Sequence, residues 1–122
     1  MPTVTAMQPL LHDSLPGVQI FSMTGRLRAG EAQRVLVRLD PWAEIPLHSH
    51  EVDATMFIVE GSGELLADGG LNGSPVAVGD SVFFERHGAH GFRAGARGLA
   101  FVSENGGIVD ARDNGNWDIR FS

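Results

Sequence analysis

Asp68-Gly69-Gly70-Leu71-Asn72-Gly73-Ser74-Pro75, set between Glu64-Leu65-Leu66-Ala67 and Val76-Ala77-Val78, is the stretch that decides the fold class. Its density of residues that tolerate positive φ reads as a hairpin loop, with Pro75 opening the next strand. The same punctuation recurs along the chain. The 16 glycines among 122 residues cluster between short apolar runs. Those runs are 18–23, 33–40, 56–59, 64–67, 76–78, 81–85, 91–94 and 99–103, each rich in Val, Ile, Leu and Phe, and they predict strands. In the run 33–40, Val35, Val37 and Leu39 alternate with Arg34, Leu36, Arg38 and Asp40, the period of a strand with one apolar face. Leu36, outward between two Arg, marks a candidate dimer contact.

A chain of this length suits a single domain with a single core. Residues 1–17, with three Pro and little pattern, are expected to form an irregular arm before a barrel domain over 18–122. A further strand is expected within Trp117 to Phe121.

Composition restricts the chemistry. The chain has no Cys and no Tyr, and all nine of its cations are Arg. Thiolate nucleophiles, disulfides, Schiff-base lysines and tyrosine acids are therefore excluded. Reactive roles fall to the five His, the carboxylates, Arg and hydroxyls, assisted by any metal the fold can hold. A net charge of −6 argues against a nucleic-acid footprint and against an anionic membrane surface. The N-terminus lacks the basic and apolar regions of a secretory signal, and no apolar run approaches the roughly 20 residues of a membrane span, so a cytoplasmic location is expected.

Pro46-Leu47-His48-Ser49-His50 is the segment with chemical content. On a strand, His48 and His50 face the same side with Cα atoms roughly 6.5 Å apart, close enough for two imidazoles to converge on one ion. A solvated pair has the same spelling. His90, between the apolar run ending at Phe84 and Gly91-Phe92-Arg93-Ala94, is the candidate third ligand.

These segments resemble the cupin family. Its first motif runs Gly, five residues, His-x-His, three or four residues, Glu, six residues, Gly; its second runs Gly, five residues, Pro-x-Gly, two residues, His, three residues, Asn. His48, His50, Gly61, Gly79 and His90 fall on that spacing, with a motif core over 42–94. Departures accompany the match: Trp42 stands at the first Gly, Glu85 and His87 at the second motif's Pro and Gly, and Ala94 at its Asn. The family's acidic ligand falls on Ala54, or on Thr55 with the longer spacing, leaving Asp53 and Glu51 as possible substitutes.

The resemblance implies an all-β double-stranded β-helix, a jelly-roll barrel, and a homodimer. It implies one divalent transition metal ion, Fe2+ before Mn2+, Ni2+ or Zn2+, held by His48, His50 and His90. Three neutral imidazoles would leave that ion a strong Lewis acid toward a chelating substrate. The activity implied is dioxygenase-like, on a small chelating, enol-type or phenolic compound. A non-redox isomerase or lyase acting on a sugar acid or keto acid is the second reading, and a binding or sensing barrel without turnover the third. His87 is a candidate acid/base group or loop residue, Arg86 and Arg93 are candidates to bind a substrate carboxylate or simply surface cations, and Phe92 is either cavity lining or core.

Overall fold

The computed structural model describes residues 2–4, 7–10, 15–23, 33–49, 53–105 and 120–121. Among them there is no helix; the described elements are nine strands. They are β1 (Gln8–Leu10), β2 (Val18–Ser22), β3 (Gln33–Leu39), β4 (Glu44–Ser49), β5 (Ala54–Ala67), β6 (Pro75–Ala77), β7 (Ser81–Phe84), β8 (His90–Asn105) and β9 (Arg120–Phe121). All pairings are antiparallel.

Two long strands organise the barrel. The second half of β8 lies between β3 and β5, and its first half lies between β4 and β5. Likewise β5 takes β7 along its first half and β6 along its second. The strands therefore form two half-sheets, β1-β2-β3-β8-β5-β7 and β9-β4-β8-β5-β6, joined where β5 and β8 bend. The product is a jelly-roll barrel, as expected.

Glycines make the bend possible. A Cβ on Gly61 would meet the Gly98 carbonyl oxygen at 2.2 Å, and one on Gly63 would meet the Arg93 carbonyl oxygen at 2.2 Å. Register shifts accompany them, between Ile58 and Glu60 and between Gly61 and Gly63. Reading these glycines as breaks divides β5 and β8 into two runs each. They are instead points where two continuous strands cross too closely for a side chain.

The arm expected to be irregular contains β1, which pairs with β2 and extends the sheet by one edge strand. Pro9 is compatible with that position because an edge strand leaves one row of amides without a ladder partner. The hairpin loop after β5 forms as expected: Gly73 N donates to Leu65 O at 2.7 Å, Leu65 N to Ser74 O at 2.8 Å, and β6 starts at Pro75. Of the strand expected within Trp117 to Phe121, Arg120 and Phe121 are in β9; the remainder lies outside the described residues.

The core is the barrel interior. Val35, Val37 and Leu39 meet Ala54, Met56, Ile58, Leu65, Phe92, Leu99 and Phe101 there, all buried. Phe101 and Phe92 are in tilted contact at 4.7 Å, which continues the apolar filling toward the first residue of β8.

Candidate metal centre

His90 opens β8 and His48 lies near the end of β4, directly opposite it in the ladder. Strict alternation would not bring them together. Ile45 pairs with Phe92, so two residues further along each strand Leu47 would oppose His90 with both strands regular; instead the register slips by one residue, and His48 takes that place. One extra residue in β4, within Pro46-Leu47, is a β-bulge. It turns His48 onto the same inward face as Ile45, which is why both are buried although three residues apart. Gly91 accommodates the distortion, since a Cβ there would meet the Ile45 carbonyl oxygen at 2.3 Å.

The two imidazoles are only 6% and 2% exposed, and their ring centroids stand 4.5 Å apart. Each is oriented by a backbone carbonyl two residues before it. His48 Nδ1 lies 2.8 Å from Pro46 O, and His90 Nδ1 lies 2.9 Å from Gly88 O. A carbonyl can only accept, so both Nδ1 atoms donate, and in each neutral ring the lone pair is on Nε2. Burial, then the neighbouring His48, push the His90 pKa down to about 4 against the opposing effect of the Gly88 hydrogen bond. His90 is therefore a neutral imidazole at physiological pH, with its Nε2 buried in the interior. An Nδ1–H held by a carbonyl, with the lone pair on Nε2, is what a metal-ligating His requires of its surroundings. The donor pair thus fits a transition ion. His50 lies outside the described residues, and among the described ones no group of three His, Cys, Asp or Glu is placed to hold a metal.

At the position of the family's acidic ligand, Ala54 is 2% exposed and packs in the core. Its cross-strand partner is Phe84 on β7, whose ring stacks on His90 with centroids 4.0 Å apart and planes at 16°. A small residue on β5 thus leaves space that an aromatic ring from β7 fills, and an apolar surface stands where a carboxylate would. Thr55 alternates to the outer face, opposite Phe83. Asp53 is engaged elsewhere: its Oδ1 accepts the Arg86 amide at 2.9 Å and lies 3.8 Å from the Arg86 guanidinium. Glu51 lies outside the described residues.

Phe92 shares the inward face of His90, 1% exposed and edge-on to Phe84 at 6.2 Å. Arg86 and His87 occupy the exposed turn between β7 and β8, closed by Gly88 N donating to Glu85 O at 3.0 Å. Arg93 alternates outward, away from the imidazoles, and is paired with Glu44 at 3.2 Å and Glu64 at 3.7 Å. A surface depression of about 200 Å3 lined by Gln19, Arg38, Asp40, Glu60 and Arg97 among others includes no His.

Two features of the site were not visible in the spacing. Phe84 closes an apolar run in the sequence, and nothing in that run signals its stacking on His90. Trp42 and His87, at two positions where the family has Gly, both adopt φ of 66°, and they are the non-glycine residues with positive φ among those described. Both thus stand in the left-handed region that favours Gly.

Comparison with known proteins agrees with this architecture. Residues 35–101, more than half of the chain, match the family described as Cupin domain. An RmlC-like cupin from Shewanella frigidimarina superposes with a TM-score of 0.71 at 21% identity, over 87% of this chain and 88% of that one. The polyketide cyclase RemF from Streptomyces resistomycificus gives 0.71 at 18% identity, over 94% and 90%. The DMSP lyase DddQ from Ruegeria pomeroyi gives 0.74 at 18% identity, over 85% of this chain and 58% of that one. No curated protein sequence matches the chain.

Proposed function

The chain belongs to the cupin family, and on that premise we propose that it is a mononuclear metal-dependent enzyme acting on a small chelating compound, with His48, His50 and His90 as the ligands. The observation that carries this reading is the facing pair of buried imidazoles, each with Nδ1 held by a backbone carbonyl, which in the neutral ring puts the lone pair on Nε2. A divalent ion held there, iron before manganese, nickel or zinc, would supply Lewis acidity and, if redox-active, dioxygen chemistry.

The chain's own residues do the rest. With Ala54 in the acidic position, the protein brings no carboxylate from β5, so an anionic or enolic group of the substrate provides the missing negative charge. Phe84 and Phe92 keep the inner side of the site apolar and exclude water from it. His87, exposed at the turn beside this end of the barrel, is the candidate to carry a proton, and Arg86 to meet a substrate carboxylate.

Dioxygenase-like chemistry on an enol-type or phenolic substrate is the leading reading. A redox-neutral lyase or isomerase is the second, supported by the likeness to a polyketide cyclase and a DMSP lyase. Metal analysis of protein purified without chelator tests the site: about one equivalent is expected, falling below about a tenth in His48→Ala and in His90→Ala. Wild-type protein that stays below a tenth after reconstitution refutes it. Oxygen uptake during turnover separates the two chemistries, because activity that is undiminished anaerobically with a redox-inert ion requires the second.

A further inference from the structure

The surface depression of about 200 Å3 lies where β5 and β8 bend, and its shape follows from one row of residues. Gln19, Arg38, Ala100 and Glu60 are consecutive partners across β2, β3, β8 and β5. Three of them are long and polar, while the third in the row ends in a methyl group, so the surface dips at Ala100. Leu39, Leu99 and Ala100 line it from below, all buried. Beside the dip, Gly98 at φ 79° crosses the turn after β3 so closely that a Cβ on it would meet Leu39 O at 2.7 Å and the Asp40 carbonyl carbon at 3.8 Å. That crossing sets Arg97 and Asp40 at the same end of the rim. Asp40 N donates to Gly17 O at 2.8 Å and Ala43 N donates to Asp40 O at 2.9 Å, so the backbone of the rim is already fixed for a ligand.

The charges around the depression differ in how they are neutralised. Arg38 is paired with Glu60 at 3.6 Å. Arg97 has no ion pair among the described residues, and neither has Asp40, whose Oδ1 accepts the neutral Gln19 amide at 3.3 Å. One unneutralised cation and one unneutralised anion thus border the same space. A simple anion would satisfy Arg97 and be repelled by Asp40 and Glu60, and a simple cation would meet the reverse. A zwitterion suits both. The space equals roughly seven waters of about 30 Å3 each, which accommodates an α-amino acid with a side chain of moderate length. Gln19 uses its NH2 on Asp40 and retains its amide oxygen for a side-chain donor of the ligand.

We propose that this depression binds a polar α-amino acid, its carboxylate on Arg97 and its ammonium on Asp40. It includes no His, and its β8 residues lie across the bend from His90, so it is independent of the metal reading. Backbone amide NMR of the full chain, titrated with L-glutamine as probe, is expected to move the Gly98, Leu99 and Ala100 signals and leave those of His90 and Gly91 in place. The dissociation constant should be on the order of 1 mM, the range that exposed charge pairs allow. Glutaramate, which lacks the ammonium, and 4-aminobutanamide, which lacks the carboxylate, should each bind about fivefold more weakly. Arg97→Gln should weaken glutamine about fivefold and bring it level with 4-aminobutanamide, because the carboxylate then has no cation to meet. Asp40→Asn, which retains an acceptor for Gln19, should bring glutamine level with glutaramate. Arg34→Gln, which removes a cation elsewhere on β3, should change none of these values. The proposal is overturned if glutamine at about 50 mM moves no signal, if the shifts centre on His90, or if glutaramate binds the wild type as well as glutamine does. It is equally overturned if Arg97→Gln and Asp40→Asn bind glutamine as the wild type does.

Discussion

Replacing His87 by Gly is expected to stabilise the fold although it removes a side chain. The turn that holds His87 is fixed on both sides: Asp53 accepts the Arg86 amide at 2.9 Å, and Gly88 N donates to Glu85 O at 3.0 Å. The backbone cannot relax out of its φ of 66° without breaking those bonds. A residue with a Cβ pays about 1–2 kcal/mol there, and His, which visits this region more readily than most, belongs at the lower end, about 1 kcal/mol. Gly removes that cost but adds about 0.5 kcal/mol of unfolded-chain entropy. The balance is a gain of about 0.5 kcal/mol, or a melting temperature higher by about 2 °C in a chain of this size. Trp42 is a poorer test. It is 68% exposed, and losing the covered third of an indole of roughly 250 Å2 forfeits about 2 kcal/mol, more than the strain relieved. Thermal unfolding of His87→Gly beside His87→Ala is the assay, because Ala keeps the Cβ and should gain nothing. If the Gly variant melts no higher than wild type, or if Ala gains as much as Gly, the strain argument is wrong. Should His87 carry a proton for the reaction, the same Gly variant would be more stable and less active, the exchange expected where strain is kept at a functional position.

Other outcomes follow from the same geometry. In metal-free protein, His90 binds its proton near pH 4 when folded and near 6.5 when unfolded. Its contribution is thus complete above pH 6.5 and lost as pH falls toward 4, on the order of 3 kcal/mol, so urea unfolding across that range should show a steeper decline for wild type than for His90→Gln. Phe84→Ala removes a half-buried ring and the surface on which His90 rests; a loss of about 2 kcal/mol in stability and about 10-fold in cobalt(II) affinity is expected by titration calorimetry, with Phe84→Leu intermediate. Gly63→Ala places a methyl group against the Arg93 carbonyl where β5 and β8 cross, and should cost more than about 3 kcal/mol or prevent folding, as judged by circular dichroism.

Much of the fold was legible because hairpin chemistry is local. Asp68 to Pro75 specifies its own turn, and the alternation of Val35, Val37 and Leu39 specifies which face of β3 is inward. Strand lengths were not, because Gly61, Gly63 and Gly98 spell the end of a strand while acting as a crossing, and only the partner's carbonyl distinguishes the two. Of the site, His48 and His90 were legible through family spacing. Periodicity alone would have misdirected His48, since Ile45 and His48 cannot face the same way in an unbroken strand; Pro46 and Gly91 are the faint signals of the bulge. Arg93 looked like a neighbour of His90 because it is close in sequence, but an odd separation along a strand puts it on the opposite surface.

The single extra residue in β4 makes the centre depend on a count as well as on identities. Inserting one residue between Ile45 and His48 would preserve every His of the chain, yet with the bulge as it stands it would carry His48 one position past His90 in the ladder and turn its ring to the opposite face. An equal insertion among Gly69 to Gly73 would only lengthen a loop. Length changes of the same size are therefore harmless at one hairpin and disarming at another, and in any relative of this chain the number of residues separating the apolar anchor from the first His is as diagnostic of a working site as the His itself.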